Sequence, residues 1–210
     1  LLVGAGERVT VPREGAVGAL AADKVGTAGL TLAEFDDLVA YGKKHKRVLF
    51  QTWHSQYNEA VDATKKLLKK EGVARVRIDW RESVRKWHPG QDWVWEPGGF
   101  GVCDPGINAM SIFTKIMPFP VFVASSTLHY PANRQTPVDV EIVFKSGEKH
   151  QPKLSAGFNW LEESGEIWTI AIETRKGNQL KLEKGGTVLK VNEAVAARTK
   201  LTFKPEDFVV

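Results

Sequence analysis

From residue 119 onward the chain reads as one strand after another, and this constrains its fold more than any other feature. Apolar and β-branched runs at 119–128, 138–144, 154–161, 167–174, 180–182 and 188–191 are separated by turn signals at Ala132-Asn133, Ser146-Gly147, Ser164-Gly165, Gly177-Asn178 and Gly185-Gly186. Gly and Asn tolerate the left-handed backbone that tight turns need, so each pair marks a chain reversal. Strands joined by short reversals pair antiparallel, and a meander is expected. Upstream the period changes. Residues 32–44 carry apolar side chains at 32, 35, 38, 39 and 41, with Thr31 as N-cap and Glu34 three residues on, a capping-box pattern. A strand is expected over 47–53. A helix is expected over 55–70, through Tyr57, Ala60, Val61, Ala63, Leu67 and Leu68, ending at Gly72. Residues 73–82 alternate Ala74, Val76, Ile78 and Trp80 against Val73, Arg75, Arg77 and Asp79, the pattern of a half-buried strand. The expected class is therefore α+β: an open-faced, mostly antiparallel sheet with helices on one face.

The functional signal lies just before the strand-rich half. The stretch Pro97-Gly98-Gly99-Phe100-Gly101 leads into Asp104, a favoured N-cap residue, and Pro105, which suits a first helical turn. A helix beginning here would run through Ile107, Met110, Ile112 and Phe113, placing Asp104 and Asn108 one turn apart on one face near the positive end of the macrodipole. A proton acceptor and an amide so placed suit a hydroxyl-rich substrate. The plain alternative is a capping Asp104 and a solvated Asn108. Trp87, His88, Gln91, Trp93 and Trp95 all precede Asp104 within twenty residues. Indole faces beside hydrogen-bonding groups can hold a sugar ring by its C–H face; alternatively, Trp93 and Trp95 are alternating strand residues that bury area.

Composition narrows the partners. With 210 residues and 42% hydrophobic content the chain can bury a sizeable core, as one domain or one and a half. The net charge of +4 is spread, with local excess at Lys43-Lys44-His45-Lys46-Arg47 and over residues 65–70. Both runs fall in or just after amphipathic helices, so they are solvated faces rather than a nucleic-acid footprint, and no nucleic-acid partner is expected. The single cysteine, Cys103, forms no internal disulfide and no metal-ligand spacing, so no metal is expected. No apolar run has membrane length and no cleavable signal pattern is visible, so the expected location is the cytoplasm, with no membrane partner.

The run Trp93-Val-Trp-Glu-Pro-Gly-Gly-Phe-Gly-Val-Cys-Asp-Pro-Gly-Ile-Asn-Ala-Met-Ser-Ile112, with Thr52-Trp53-His54-Ser55 and Asp79-Trp80-Arg81-Glu82, resembles the substrate half of the aldose 1-dehydrogenases, the D-galactose and L-arabinose branch of the Gfo/Idh/MocA oxidoreductase family. The resemblance covers roughly residues 31–186, and the Asn form of the helix motif, Asn108, points to the aldose branch. It implies oxidation of an aldopyranose at C1 to the lactone with NAD or NADP as cofactor, on an open-faced sheet packed behind a Rossmann domain. Residues 1–53 would be the end of that dinucleotide-binding domain and residues 54–210 the substrate-binding domain. It further implies catalytic roles for Asp104, Asn108 and Lys24, and places His54, Glu82, Trp87, His88 and Trp168 around the sugar.

The resemblance is incomplete at the start. Gly4-Ala5-Gly6 follows a three-residue apolar stub, with Val9 where a third glycine of a dinucleotide fingerprint would fall. Asp23-Lys24 stands where the family carries Glu-Lys-Pro, with Val25 in place of Pro. The cofactor-binding residues are thus left unassigned. Two further readings stay open: a sugar-binding module without catalysis, and a homodimerising domain using the open sheet face through the apolar positions of 138–144 and 154–161.

Overall fold

The computed structural model describes residues 32–47, 54–96, 99 and 101–198. Helix α1 (Leu32–Lys44) ends on Lys43 and Lys44, whose charge complements the helix C-terminus. Thr31 and the expected strand over 47–53 fall outside the described residues, apart from Arg47, which is in no strand. The helix expected over 55–70 is two elements. A 3-10 turn (His54–Tyr57) comes first, and α2 (Glu59–Glu71) follows after Asn58. Asn58 has an extended backbone, and its amide donates to the carbonyls of Ser55 and Gly185, which breaks the helical run at that point. Ala60, Val61, Thr64 and Leu68 form the buried stripe of α2, at spacings of one, three and four residues. At Gly72, φ is 71° and its N–H closes on the carbonyl of Leu68, ending the helix.

Strand β1 (Val73–Arg81) buries Val76, Ile78 and Trp80 and turns Arg75, Arg77, Asp79 and Arg81 outward. A short helix α3 (Val84–Trp87) and a 3-10 turn (Asp92–Trp95) lead to α4 (Cys103–Ile116). Trp93 and Trp95 thus sit in a 3-10 turn rather than a strand. The helix also starts earlier than expected: Val102 is the cap and Asp104 lies inside the first turn, its N–H on the carbonyl of Gly101. Pro105, Gly106, Ala109, Ile112, Phe113 and Ile116 form the buried face of α4.

The remaining strands are β2 (Val121–His129), β3 (Asp139–Ser146), β4 (Lys153–Asn159), β5 (Ile167–Thr174), β6 (Gln179–Glu183), β7 (Val188–Val191) and β8 (Ala194–Arg198). Strand β8 carries small residues and was not legible as a run. All eight form one sheet, in the order β2-β3-β4-β1-β5-β6-β7-β8. This corrects the uninterrupted meander. Strand β1 is inserted between β4 and β5, parallel to β4 and antiparallel to β5. After β1 the chain crosses the sheet through α4, starts again at the β2 edge, and returns by hairpins to reach β4 beside β1. The α+β class and the mostly antiparallel sheet stand as expected.

The two longer helices of this part cover one face. Leu68, Ile78, Ile112, Phe113, Ile170 and Leu182 are among its fully buried side chains. Each such side chain contributes about 1.5–3 kcal/mol relative to exposure. On the other face, Arg77 and Glu141 pair through two hydrogen bonds, of 2.7 and 2.9 Å, in contact with solvent. A pair so exposed is worth about 0–1 kcal/mol, so this face is held by its neighbours rather than by its charges.

Candidate active site

The entry to α4 decides where the site chemistry points. At Gly101, φ is +53°, and an added Cβ would stand 2.6 Å from the carbonyl oxygen of Pro137. That carbonyl accepts the N–H of Val102 at 2.8 Å. Only glycine lets the chain turn this close to the β2–β3 connection and begin a helix at once. On the buried side of α4, Gly106 lies 3.4 Å, at its would-be Cβ, from the ring of Phe158 in β4. The helix therefore rides close on the sheet, and its first turn faces the segment 82–96.

Asp104 meets His88 there, with Nε2 of the ring 2.9 Å from Oδ2. The other ring nitrogen, Nδ1, lies 2.9 Å from Oε1 of Gln91. His88 packs edge-on to Trp93 and Trp160, with centroids 6.2 and 5.3 Å away. Its pKa is raised, first by the hydrogen bond to Asp104, with burial opposing and Gln91 and the charges of Asp104 and Glu82 adding to the rise. One turn further along α4, Oδ1 of Asn108 accepts the hydroxyl of Ser55 at 3.2 Å. Ser55 is buried within the His54–Tyr57 turn, which Lys115 ties to α4 through the carbonyl of Gln56 at 2.6 Å.

Glu82 directly follows β1, and its backbone is clamped on both sides: its N–H reaches the carbonyl of Asn159, and its own carbonyl accepts from Glu162. Its carboxylate is buried and accepts the indole N–H of Trp168 at 2.9 Å. Burial is the main cause that pushes this carboxyl above the usual range; the indole of Trp168 opposes it, and the nearby charge of Asp104 adds to it. Trp168 continues a row of rings, 6.2 Å from Trp80 and 6.0 Å from Trp87. Trp87 is 46% exposed, with the ammonium of Lys86 over its ring at 5.2 Å.

The structure therefore brings Asp104 and His88 into direct contact, with Glu82 near enough to feel both charges. Asn108 lies on the same helix, bonded to a different element. His54 heads its turn as an exposed side chain beside Ser55, without a hydrogen bond of its own among the described residues. Lys24 and the Gly4-Ala5-Gly6 stub lie outside the described residues. Three participants carried no role of their own at the level of sequence, although Gln91 stood in the run before Asp104. Ser55 and Gln91 are small polar residues next to candidate histidines, and Trp160 is a fully buried indole beside His88. Proximity in sequence to His54 and His88 was the available signal for the first two; none existed for Trp160.

A groove of about 470 Å³ opens next to this cluster, lined by His88, Gln91, Trp95, Asn133, Arg134 and Arg85 among others. Among the described residues no group of three or more His, Cys, Asp or Glu could hold a metal ion, and no helix is long and apolar enough to cross a membrane.

An open sheet of eight strands backed by helices, with this polar cluster at the start of the crossing helix, is the architecture of the C-terminal domain of the Gfo/Idh/MocA oxidoreductases, which the chain resembles in both sequence and fold. Within that class it is similar to the galactose 1-dehydrogenase of Pseudomonas fluorescens, with 41% identity over 136 residues, 65% of this chain and 43% of that protein. The D-galactose-1-dehydrogenase of Rhizobium etli superposes with a TM-score of 0.75 at 38% identity, over 84% of this chain and 59% of that one. An inositol dehydrogenase homologue complexed with NAD+ from Azotobacter vinelandii shares the fold, with a TM-score of 0.67 at 11% identity, over 87% of this chain and 54% of that one. The chain thus spans about half the length of these relatives. No family model matches it.

Proposed function

We propose that this chain is the substrate domain of a nicotinamide-dependent aldose 1-dehydrogenase, which oxidises an aldopyranose of the D-galactose or L-arabinose type at C1 to its lactone. The observation that carries this reading is the contact of Asp104 with His88, beside a buried Glu82 and one turn from Asn108. Perturbed titratable groups cluster at functional sites, and here two carboxylates and an imidazole lie together with the pKa values of Glu82 and His88 both raised.

Asp104 accepts the proton of the C1 hydroxyl. A positioned base of this kind contributes roughly 10²–10⁴-fold to rate. Asn108 has an amide N–H₂ left over for the C1 oxygen once its Oδ1 is occupied by Ser55. Glu82 and the exposed ring of Trp87 hold the ring hydroxyls and the apolar sugar face, with Trp168 fixing the Glu82 carboxylate. When bound, the cofactor supplies the acceptor for the hydride that leaves C1. The donor set fits the sugar side of that division of labour, since it offers a proton acceptor and hydroxyl partners. We assign the cofactor side, including the proposed Lys24, to residues 1–53 and the sugar side to residues 54–210. NAD and NADP both remain candidate cofactors.

Tryptophan emission titrated with D-galactose and L-arabinose is the first test. A saturable change that is lost in Asp104→Ala and Glu82→Ala supports a sugar site; turnover with NAD or NADP, reduced 10²-fold or more in Asp104→Asn, supports the dehydrogenase. Saturable binding without turnover points to a sugar-binding module, and no response to either sugar overturns the reading. A homodimer is the second proposal. The alternating apolar positions expected to serve it, such as Val140, Phe144, Leu154 and Phe158, are instead buried in the core; Phe122 and Val143, 58% and 51% exposed on the open side of neighbouring strands, offer the apolar surface that a second copy would cover.

A further inference from the structure

His88 is held from both ends. Nε2 faces a carboxylate oxygen of Asp104 and Nδ1 faces the amide oxygen of Gln91, each at 2.9 Å. A neutral imidazole donates from one nitrogen only, whereas the cation donates from both. With the Gln91 amide oxygen rather than its NH₂ turned to Nδ1, two oxygen acceptors face the ring, an arrangement that matches the doubly protonated form. We infer that Gln91 is a positioning residue: by accepting from Nδ1 it keeps His88 a cation and holds the ring's Nε2 against Asp104.

The surroundings agree with this. Asp104 from α4 and Glu82 from the end of β1 are the negative groups that favour a cationic ring, while burial opposes it. The charged neighbours on the groove side are Arg85 from α3, Asp92 from the 3-10 turn and Arg134 from the β2–β3 connection. Gln91 is uncharged, so it orders the ring without competing with Asp104 for its charge. Its place is set by a tight turn: at Gly90, φ is +71°, and the N–H of Gln91 returns to the carbonyl of His88 at 3.3 Å. Trp93 and Trp160 flank the ring edge-on, so it cannot swing away from either acceptor without moving an indole.

The significance for catalysis rests on the dehydrogenase reading; the protonation state does not, and it is measured without sugar. The ¹⁵N-labelled chain is followed by long-range proton–nitrogen spectra of its imidazoles across neutral pH. In the native chain both ring nitrogens of His88 are expected to carry hydrogen at pH 7, with a midpoint above the ordinary value near 6.5. Gln91→Leu is expected to weaken proton binding at His88 by roughly tenfold, the loss of one hydrogen bond to a charged group. Gln91→Glu, which restores an acceptor and adds charge, is expected to raise the midpoint. A singly protonated ring at pH 7, an unmoved midpoint in folded Gln91→Leu, or a lowered midpoint in Gln91→Glu overturns the inference. Sugar titrations of the same samples keep the two ideas apart: the expected raised midpoint and its shifts in the variants, with no sugar response, sink the dehydrogenase reading and leave the role of Gln91 intact.

Discussion

Glu82 shows how a single buried carboxylate trades stability for a site. Its pKa is raised mainly by burial, so its charged form is penalised in the fold and not in the unfolded chain. The stabilising contribution is complete below the unfolded carboxylate value of about 4.3 and is lost as pH rises through the higher folded value. Glu82→Gln keeps an oxygen for the Trp168 N–H and removes the charge. It is expected to melt higher than the native chain at pH 7 and no higher at pH 4, while sugar affinity falls; calorimetry at both pH values with sugar titration at pH 7 checks this. For a chain of this length each kcal/mol relieved is worth about 2–4 °C. His88 runs in the same direction for the opposite charge. Its stabilising contribution is present below about 6.5 and fades as pH rises through its raised folded value. Candidates at this scale were legible because carboxylate, amide and imidazole are rare in apolar surroundings, and Asp104 and Asn108 announced their shared face by i, i+4 spacing. Ser55 was not, since its partner Asn108 stands 53 residues away in sequence; Gln91 stood in the polar run before Asp104, and its contact with His88 is made within one turn.

At the scale of elements, the entry to α4 is the critical joint. Gly101→Ala would place a methyl against the backbone of Pro137 at a positive φ. The expected cost is about 2 kcal/mol or more, because neither the carbonyl nor the helix start can yield cheaply. Urea unfolding should show a lower midpoint with little change in slope, and the same variant should lose sugar response through displacement of Asp104. Ser55→Ala tests the neighbouring joint: Asn108 loses the donor to its Oδ1, with about 1 kcal/mol lost and weaker binding of the sugar. Helix boundaries were the least legible feature here. Periodicity over 55–70 continued through Asn58, yet the hydrogen bonds of its side chain to Ser55 and Gly185 compete with helix and split the run.

At the scale of the molecule, among the described residues the sheet has one covered face and one open face, and its far edge, β2, is exposed along most of its length. Edges and open apolar positions are normally closed by pairing or assembly. Sedimentation should find a dimer that Phe122→Glu combined with Val143→Glu converts to monomer without loss of secondary structure; a monomer in the native chain removes the dimer proposal. The strand runs, their turn signals and the amphipathic sides of α2 and β1 followed from residue order alone, because periods of 2 and 3.6 are local properties of the backbone. The α+β class and the motif ending in Asn108 were determined in the same way. The place of β1 between β4 and β5 was not, since alternation states which side of a strand is apolar and never which strand lies beside it. That non-local choice brings Glu82 against Trp168, and the close ride of α4 on Phe158 brings Asp104 to His88. Tertiary structure alone decided these contacts, because the burial and the charge interactions that tune the site exist only once distant segments share one low-dielectric space.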